Sequence, residues 1–503
     1  MKRFKYQIMV LGTSSHAGKS LLATALCRIL NNRGLRVAPF KAQNMALNSG
    51  PTLDGGEIGR AQLLQAEAAR CLPYREMNPV LLKPMRGQGS QVVLMGKPRG
   101  LMSTKEYFKF WPKAAKTAAS AYRALTEMFE ALVIEGAGSP AEINLAHRDL
   151  ANLECARFSK APWILICDIE RGGAFASVAG TLDLIPLWLR KRCRGVVFNK
   201  FRGDASLLES GIRWLKKERG IQTLGVLPFL PDLRLEEEDS LGLPKPGRRK
   251  GSKTALRVEI IQPSSIANFN DLQPLLSDPA LDLNWRTPGG KGASEPDLVV
   301  IAGSKFTLAD MEAFNRSGES KRLRKLAERG VWFLGICGGL QMFGKEIFDE
   351  DGIDGRKGWR VKGIGILDAW TTMHPVKISE QTEVRAKTPF GQFELKGYEM
   401  HHGRTHLGTA AHETLLKALP ERPLMSSDPS FKVWGTYLHA VLDNDAFRNA
   451  FLKRVAKDRG RRYLPQGRNI ADEKEAELNR WTRHVEKFLN LDLIQGFPKV
   501  GAR

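Results

Sequence analysis

Paired cysteines are what this chain most visibly lacks. Its 503 residues hold six, Cys27, Cys71, Cys155, Cys167, Cys193 and Cys337, with no CxxC spacing and no cluster with histidine. Zinc ribbons and disulfide frameworks are set aside on that count, and a reducing, cytoplasmic setting is expected. Long apolar runs are missing too, since no stretch approaches the roughly 18 apolar residues of a membrane span. The basic start MKRFKYQIMVLG has an apolar run too short for a signal peptide and passes directly into a glycine motif. Acidic residues are scarce beside basic ones, 54 against 77, which leaves a formal charge of +23. Nucleic acid has to be weighed against such a balance. The basic clusters RKRCRG, KPGRRKGSK and KRVAKDRGRR are nevertheless scattered, with no interleaved aromatic platform and no reader module. The expectation is a solvated basic surface, or attraction of a polyanionic small substrate, and no nucleic-acid partner. Internal repeats and low-complexity tracts are absent as well.

What is present is alternation. Strand-like runs (YQIMVLG, LRVAPFKA, EALVIEGAG, APWILICDIE, RGVVFNKF, TLGVLPFL) alternate with helical patterns such as AGKSLLATALCRILNNRG. This reads as a doubly wound α/β domain with a mostly parallel sheet. A Pro-, Gly- and charge-rich stretch, LPKPGRRKGSK, interrupts the series before LRVEIIQ, DLVVIAGS, GVWFLGIC and VWGTYLH begin a second one. The expected division is 1–238, a linker at 239–254, a second α/β domain at 255–455, and a helical extension at 456–503 packed on that second domain. ADEKEAELNRWTRHVEKFLNL supplies the helical spacing of the extension.

Two segments carry chemistry of their own. In VWFLGICGGLQMFG an apolar strand delivers Cys337 into a glycine-flanked turn just before an apolar helical face resumes, the pattern of a nucleophile elbow. A buried structural cysteine needs no such glycines. The thiol is expected to be exposed beside a helix N-terminus, whose partial positive charge favours thiolate; protease, hydrolase and redox roles all remain open for it. GTSSHAGKS, Gly12 to Ser20, follows a predicted strand and opens a helix, with one residue more than the usual spacing of a Walker A loop. Its backbone amides would cradle phosphates, Lys19 would compensate their charge, and Ser20 would hold Mg²⁺. His16 inside the loop reads as a passive, solvent-facing residue. Glu135 ends the strand of ALVIEGAGSP, at the sheet edge where ligands of α/β folds bind and where Mg²⁺ would sit. Asn199, in VVFNKFRGD, is a candidate for nucleotide-base recognition, although asparagine at a strand end is as readily a turn former.

The N-terminal half resembles the dethiobiotin synthetase-like P-loop enzymes. Together KAQNMALNS, DGGEIGRAQ, MNPVLLKP, EGAGSPAEINL, DIERGGAFA and NKFRGD are similar to the cobyric acid synthase family, whose glutaminase half, of the class I triad amidotransferase type, resembles GICGGLQMFG and GTYLHAVLDNDAFR. The resemblance implies a P-loop NTPase-type parallel sheet followed by a flavodoxin-like amidotransferase domain. It implies ATP- and glutamine-dependent amidation of the b, d, e and g carboxylates of adenosylcobyrinic acid a,c-diamide, with ATP, L-glutamine and a corrinoid polycarboxylate as small-molecule substrates and Mg²⁺ as cofactor. Carried over by residue, Gly12, Thr13, Gly18, Lys19 and Ser20 form the phosphate loop with Asn199 at the nucleotide, and Ser20 and Glu135 hold the metal. Asp54 or Glu57 is a second metal carboxylate, and Lys41 faces the substrate's anionic group and the transferring phosphate. In the second half Cys337 is the nucleophile and His439 its proton carrier, with backbone amides of Gly338 and of Gly303 or Ser304 as the oxyanion hole.

Three departures stand out. Where class I triads place a glutamate two residues beyond the histidine, this chain has Val441, so His439 is oriented by another group or works with Cys337 as a dyad. The usual PGSKN turn reads AGSKF, and Ala440 takes the place of a common glycine. His401 and His402 in GYEMHHGRT receive no chemical step and are expected to be structural. The nearest rivals are an a,c-diamide synthase, an amidotransferase for another carboxylate such as a cell-wall precursor, and a partition-type ATPase switch. The last carries a lysine where Thr13 stands and has no glutaminase half.

Overall fold

The structure is a computed structural model describing residues 4–85, 89–235, 247–252, 254–290, 292, 295–415 and 422–499. It divides into two units, Met1–Glu238 with Lys474–Arg503, and Asp239–Glu473.

The first unit is built on a sheet of six strands among the described residues. Tyr6–Gly12 lies near its middle, flanked by Ala131–Glu135 and Trp163–Asp168. Val37–Phe40 forms one edge, and Cys193–Phe201 followed by Thr223–Pro228 forms the other. Every pairing is parallel. Such strands are covered on both faces, which is why Ala131–Glu135 and Trp163–Asp168 are buried at every position. Two hydrophobic clusters line the two faces. One contains Leu22, Leu26 and Ile29 of the helix Lys19–Asn32, which follows the first strand.

That same cluster contains Leu478, Trp481, Val485 and Leu489. The helix Ile470–Phe488 has the expected amphipathic pattern, but the expected packing of 456–503 on the second domain is corrected: from Lys474 onward the chain belongs to the first unit. Its apolar stripe covers the P-loop helix. There Arg28, fully buried, forms a two-pronged ion pair with Glu475 at 2.5 and 2.9 Å, and Trp481 Nε1 donates to Leu21 O at 2.7 Å. Residues 456–458 are simply the end of the helix Asp445–Asp458.

In the second unit Leu256–Ile261, Leu298–Ile301, Trp332–Ile336 and Val433–Thr436 run parallel in that spatial order, with Leu281–Arg286 parallel on the far side of Leu256–Ile261. Antiparallel strands close both edges. One is Gly247–Arg249, so part of the expected linker is sheet; residues 239–246 and 253 of that linker lie outside the described residues. A feature not expected is the hairpin Ala369–Thr388 with Gly391–Leu407, whose register shifts between Met373 and Ile378. The core holds Trp332, Phe333, Phe343, Trp434, Phe447 and Phe451, all essentially inaccessible to solvent. A fully buried side chain of this kind is worth at least about 1.5–3 kcal/mol, enough to hold the strand ends that carry the chemistry.

Candidate active sites

Trp332–Ile336 is buried throughout and ends directly at Cys337, whose backbone sits at φ 51°, ψ −104°. A non-glycine residue there costs about 1–3 kcal/mol and persists only where its surroundings impose it. Two hydrogen bonds do so: Cys337 N donates to Thr436 O at 2.7 Å, and Gln341 N donates to Cys337 O at 3.2 Å from within the helix Gly338–Phe343. This is the elbow read from the sequence. Gly338 is required beside it, because a methyl group there would stand 2.7 Å from Ser304 N. A methyl group at Gly303 would lie 3.8 Å from both Cys337 Cβ and His439 Cε1. Gly338, Gly303 and Ser304 are therefore gathered around the two side chains expected to react.

The thiol is not exposed as expected. Cys337 is 8% accessible, and its Sγ lies 3.8 Å from the carbonyl of Met400. The strand Gly391–Leu407 runs over the elbow and accounts for this burial. His439 N donates to Tyr398 O at 2.9 Å, Tyr398 N donates back at 3.3 Å, and the two rings stack with centroids 4.9 Å apart.

His439 stands three residues beyond the strand Val433–Thr436 rather than at its end. Its Nδ1 donates to Asp271 Oδ2 at 2.7 Å, and the other carboxylate oxygen accepts from Ala440 N at 2.8 Å. Asp271 occupies the short helical turn Phe269–Leu272, in the loop that follows Leu256–Ile261. It supplies the carboxylate missing at Val441, which is packed into the core instead. Burial disfavours the charged imidazole, yet the negative Asp271 beside it and the Cys337 thiol nearby raise His439 to about 10. Its Nε2 is buried and makes no hydrogen bond within ordinary distance among the described residues, with the Cys337 side chain as the neighbour that influences it. The arrangement is a fixed imidazole with one nitrogen anchored and the other left to carry a proton. Asp271 had no local signal, standing 168 residues from His439. Only its place on a loop after a parallel strand hints at function.

His401 has the structural setting expected of it. It is buried, its ring bonds to Gly403 O at 2.8 Å and to Glu399 at 3.1 Å, and it stacks on Tyr437. His402 Nδ1 donates to His374 O at 3.0 Å.

In the first unit Gly18 takes φ 104° and opens the helix Lys19–Asn32. Lys19 folds back along the loop, its Nζ donating to Ser14 O at 2.8 Å and Gly138 O at 2.9 Å. A methyl group at Gly12 would meet that amine at 3.0 Å. Thr13 N donates to Ile166 O, which ties the loop to the neighbouring strand, and His16 is exposed as expected. Asn199 is buried and donates to Ala17 O at 3.0 Å, bracing the loop from the next strand end.

Glu135 is the hub. Its Oε1 accepts from Ser20 Oγ at 2.8 Å and from Lys41 Nζ at 2.8 Å, and its Oε2 accepts from Gln65 at 2.6 Å. Burial alone would raise this carboxyl, but the Lys41 charge and the donated hydrogen bonds hold it below the ordinary value. A hydroxyl and a carboxylate so placed beside a phosphate loop are the hard oxygen donors that suit Mg²⁺, which takes its other ligands from phosphate and water. Among the described residues no group of three or more His, Cys, Asp or Glu could hold a metal. The proposed second carboxylates do not join Ser20 and Glu135. Asp54 is exposed and pairs with Arg75 at 3.0 Å, while Glu57 is buried against Lys83 at 2.5 Å and Ser49 at 2.9 Å. Gln62 Nε2 also donates to Glu135 Oε2, at 3.5 Å; it closes the segment DGGEIGRAQ, whereas Gln65, farther along the helix Arg60–Ala68, has no motif to mark it.

Two family models match the chain: the CobQ/CobB/MinD/ParA nucleotide binding domain over 8–242 and the CobB/CobQ-like glutamine amidotransferase domain over 257–447. Among curated relatives, a cobyric acid synthase of Trichormus variabilis is 41% identical over 97% of this chain and 99% of its own length. One of Rippkaea orientalis is 42% identical over 98% and 99%. One of Carboxydothermus hydrogenoformans is 43% identical over 90% and 91%. No helix among the described residues is long and apolar enough to cross a membrane.

Proposed function

Because this chain belongs to the cobyric acid synthase family, a family of glutamine-dependent amidoligases, we propose that Cys337, His439 and Asp271 release ammonia from glutamine and that the P-loop unit activates the carboxylates that receive it. The contact of His439 with Asp271, beside a strained Cys337, carries the proposal.

Cys337 Sγ attacks the side-chain carbonyl of glutamine. Amides of Gly338 and of Gly303 or Ser304 receive the developing oxyanion, an interaction made fully only in the transition state. The one proton shared by the Cys337–His439 pair rests on His439 Nε2 when the C–S bond forms, and His439 delivers it to the departing nitrogen, leaving a glutamyl thioester. His439 then takes a proton from water as water attacks. Glutamate leaves, the thiol is restored, and one ammonia has been formed. Asp271 holds the imidazole with Nδ1–H anchored and supports its positive charge throughout.

In the P-loop unit the acceptor carboxylate attacks the γ-phosphorus of ATP, forming an acyl phosphate and ADP; ammonia then displaces phosphate to give the amide. Lys19 and the backbone amides of Gly12 to Ser20 hold the phosphates, while Asn199 keeps the loop in shape. Ser20 and Glu135 are the residues to hold Mg²⁺, which when bound neutralises phosphate charge. Lys41, drawn to Glu135, is within the same cluster to meet the acceptor carboxylate or the phosphoryl group in transfer. The substrate of this reading is adenosylcobyrinic acid a,c-diamide, amidated at b, d, e and g in the cytoplasm.

Mass spectrometry of the a,c-diamide incubated with the full chain, ATP, Mg²⁺ and glutamine tests it. Four successive acid-to-amide mass changes are expected. An unchanged diamide, with amidation of the fully acidic corrinoid instead, would refute this substrate assignment in favour of the earlier step.

A further inference from the structure

Asp310 is a buried carboxylate that takes no part in the chemistry above. It sits in the helix Thr307–Arg316, 2% accessible, and accepts from five donors. Oδ1 accepts from Ser264 N at 3.1 Å and from the Ser264 hydroxyl. Oδ2 accepts from Ser265 N at 3.2 Å, Ser265 Oγ at 2.5 Å and Ser304 Oγ at 2.6 Å.

These donors come from two loops, each leaving the carboxyl end of a parallel strand. The first follows Leu256–Ile261 and runs on to Asp271, the partner of His439. The second follows Leu298–Ile301 and contains Gly303 and Ser304. The loops are zipped together beside the carboxylate, where Lys305 N donates to Ser265 O at 2.8 Å and Ala267 N donates to Gly303 O at 3.0 Å. The Ser304 amide in turn stands against the elbow at Gly338. A single buried anion thus satisfies the Ser264–Ser265 amides and fixes the hydroxyl of the residue whose amide faces the nucleophile. Burying an unmatched carboxylate is costly, so all five donors are held to it.

We propose that Asp310 is a positioning residue of the glutaminase, setting the Gly303–Ser304 turn where it can meet the oxyanion; the proposal rests on the reading of Gly338, Gly303 and Ser304 as oxyanion donors. In Asp310→Asn one carboxylate oxygen becomes an NH₂. Whichever way the amide turns, that group faces a main-chain N–H of Ser264 or Ser265, which cannot reverse its role, so the two loops cannot both be kept in register.

The test uses the full chain. In Asp310→Asn, kcat for glutamine hydrolysis should fall by about tenfold or more while KM for glutamine stays within about twofold, since an oxyanion donor acts on the transition state. Amidation with ammonium chloride should stay within about twofold of wild type. Alkylation of Cys337 by iodoacetamide, read by peptide mass spectrometry, should also keep its rate, because displacement at a saturated carbon forms no oxyanion. Unchanged kcat overturns the proposal. So does a parallel loss of ammonia-dependent turnover or of alkylation, which would mark a general structural role. Ser304→Ala and Ser265→Ala each remove one hydroxyl and leave the carboxylate, and they decide the matter if Asp310→Asn does not fold. A threefold or greater kcat loss at constant KM in either supports the proposal, and wild-type kcat in both overturns it. Glutamine turnover persisting in Cys337→Ala would overturn the reading of the site and the proposal with it.

Discussion

Replacing Asp271 by Asn keeps the shape of the side chain and removes its charge from a histidine that is 1% accessible. In the folded chain His439 keeps its proton up to about 10, against an ordinary 6.5. A group whose pKa is raised on folding contributes its full stability below the unfolded value and loses it as pH climbs through the folded one. The full contribution here is about 5 kcal/mol below pH 6.5, and linkage leaves about 3 kcal/mol at pH 7.5 and near zero above pH 10. Asp271 shares the raising of His439 with the Cys337 side chain, against the opposing effect of burial, so Asp271→Asn should be less stable than wild type at pH 7.5, with the deficit shrinking as pH rises. Denaturant titrations at pH 6, 7.5, 9 and 10 measure it. The same variant should lose about 10²–10⁴ in kcat for glutamine, as removal of an orienting triad carboxylate does elsewhere, and keep its ammonia-dependent turnover. A stability deficit that does not vary between pH 6 and 10, or a kcat within threefold of wild type, would refute the pairing of Asp271 with a protonated His439.

Cys337→Ala should abolish glutamine use and leave synthesis from ammonium chloride intact, checked by corrinoid mass spectrometry with each nitrogen source. Lys19→Ala should abolish amidation with either source, because the loss falls on phosphoryl transfer; preserved ammonia-dependent turnover would contradict its role. Trp481→Ala should destabilise by about 3–5 kcal/mol, since the indole is buried in the first unit's core and bonded to Leu21 O. Calorimetry should show that loss in the transition of the nucleotide unit.

The residues that announced themselves were those whose chemistry is local. Cys337 sits between a buried strand and glycines that a turn demands, and Gly12 to Ser20 form a glycine-bounded turn, close to the Walker A spacing, between a strand and a helix. Asp271 could not be found this way, because the contact that matters joins two loops through the fold. Asp54 and Glu57 had the right residue type near the right motif, yet each is matched to a cation of its own, Arg75 and Lys83. The hairpin Ala369–Thr388 with Gly391–Leu407 escaped notice because its strands are rich in polar residues and mix buried, half-buried and exposed positions without the regular apolar alternation that marks a half-buried sheet. The helix Ile470–Phe488 was legible as a helix. Its pattern said that one face would be covered and was silent about what would cover it.

That destination bears on the order in which the chain acquires structure. When Glu238 has left the ribosome, the cluster around Leu22, Leu26 and Ile29 still lacks Leu478, Trp481, Val485 and Leu489, and buried Arg28 has no anion. All of Asp239–Glu473 must be synthesised before they arrive, a delay of roughly 10–50 s at about 5–20 residues per second. The nucleotide unit is begun first and completed last. During that interval the face that these residues cover in the folded unit is without them, and exposed apolar surface of that kind is what makes incomplete chains prone to aggregate.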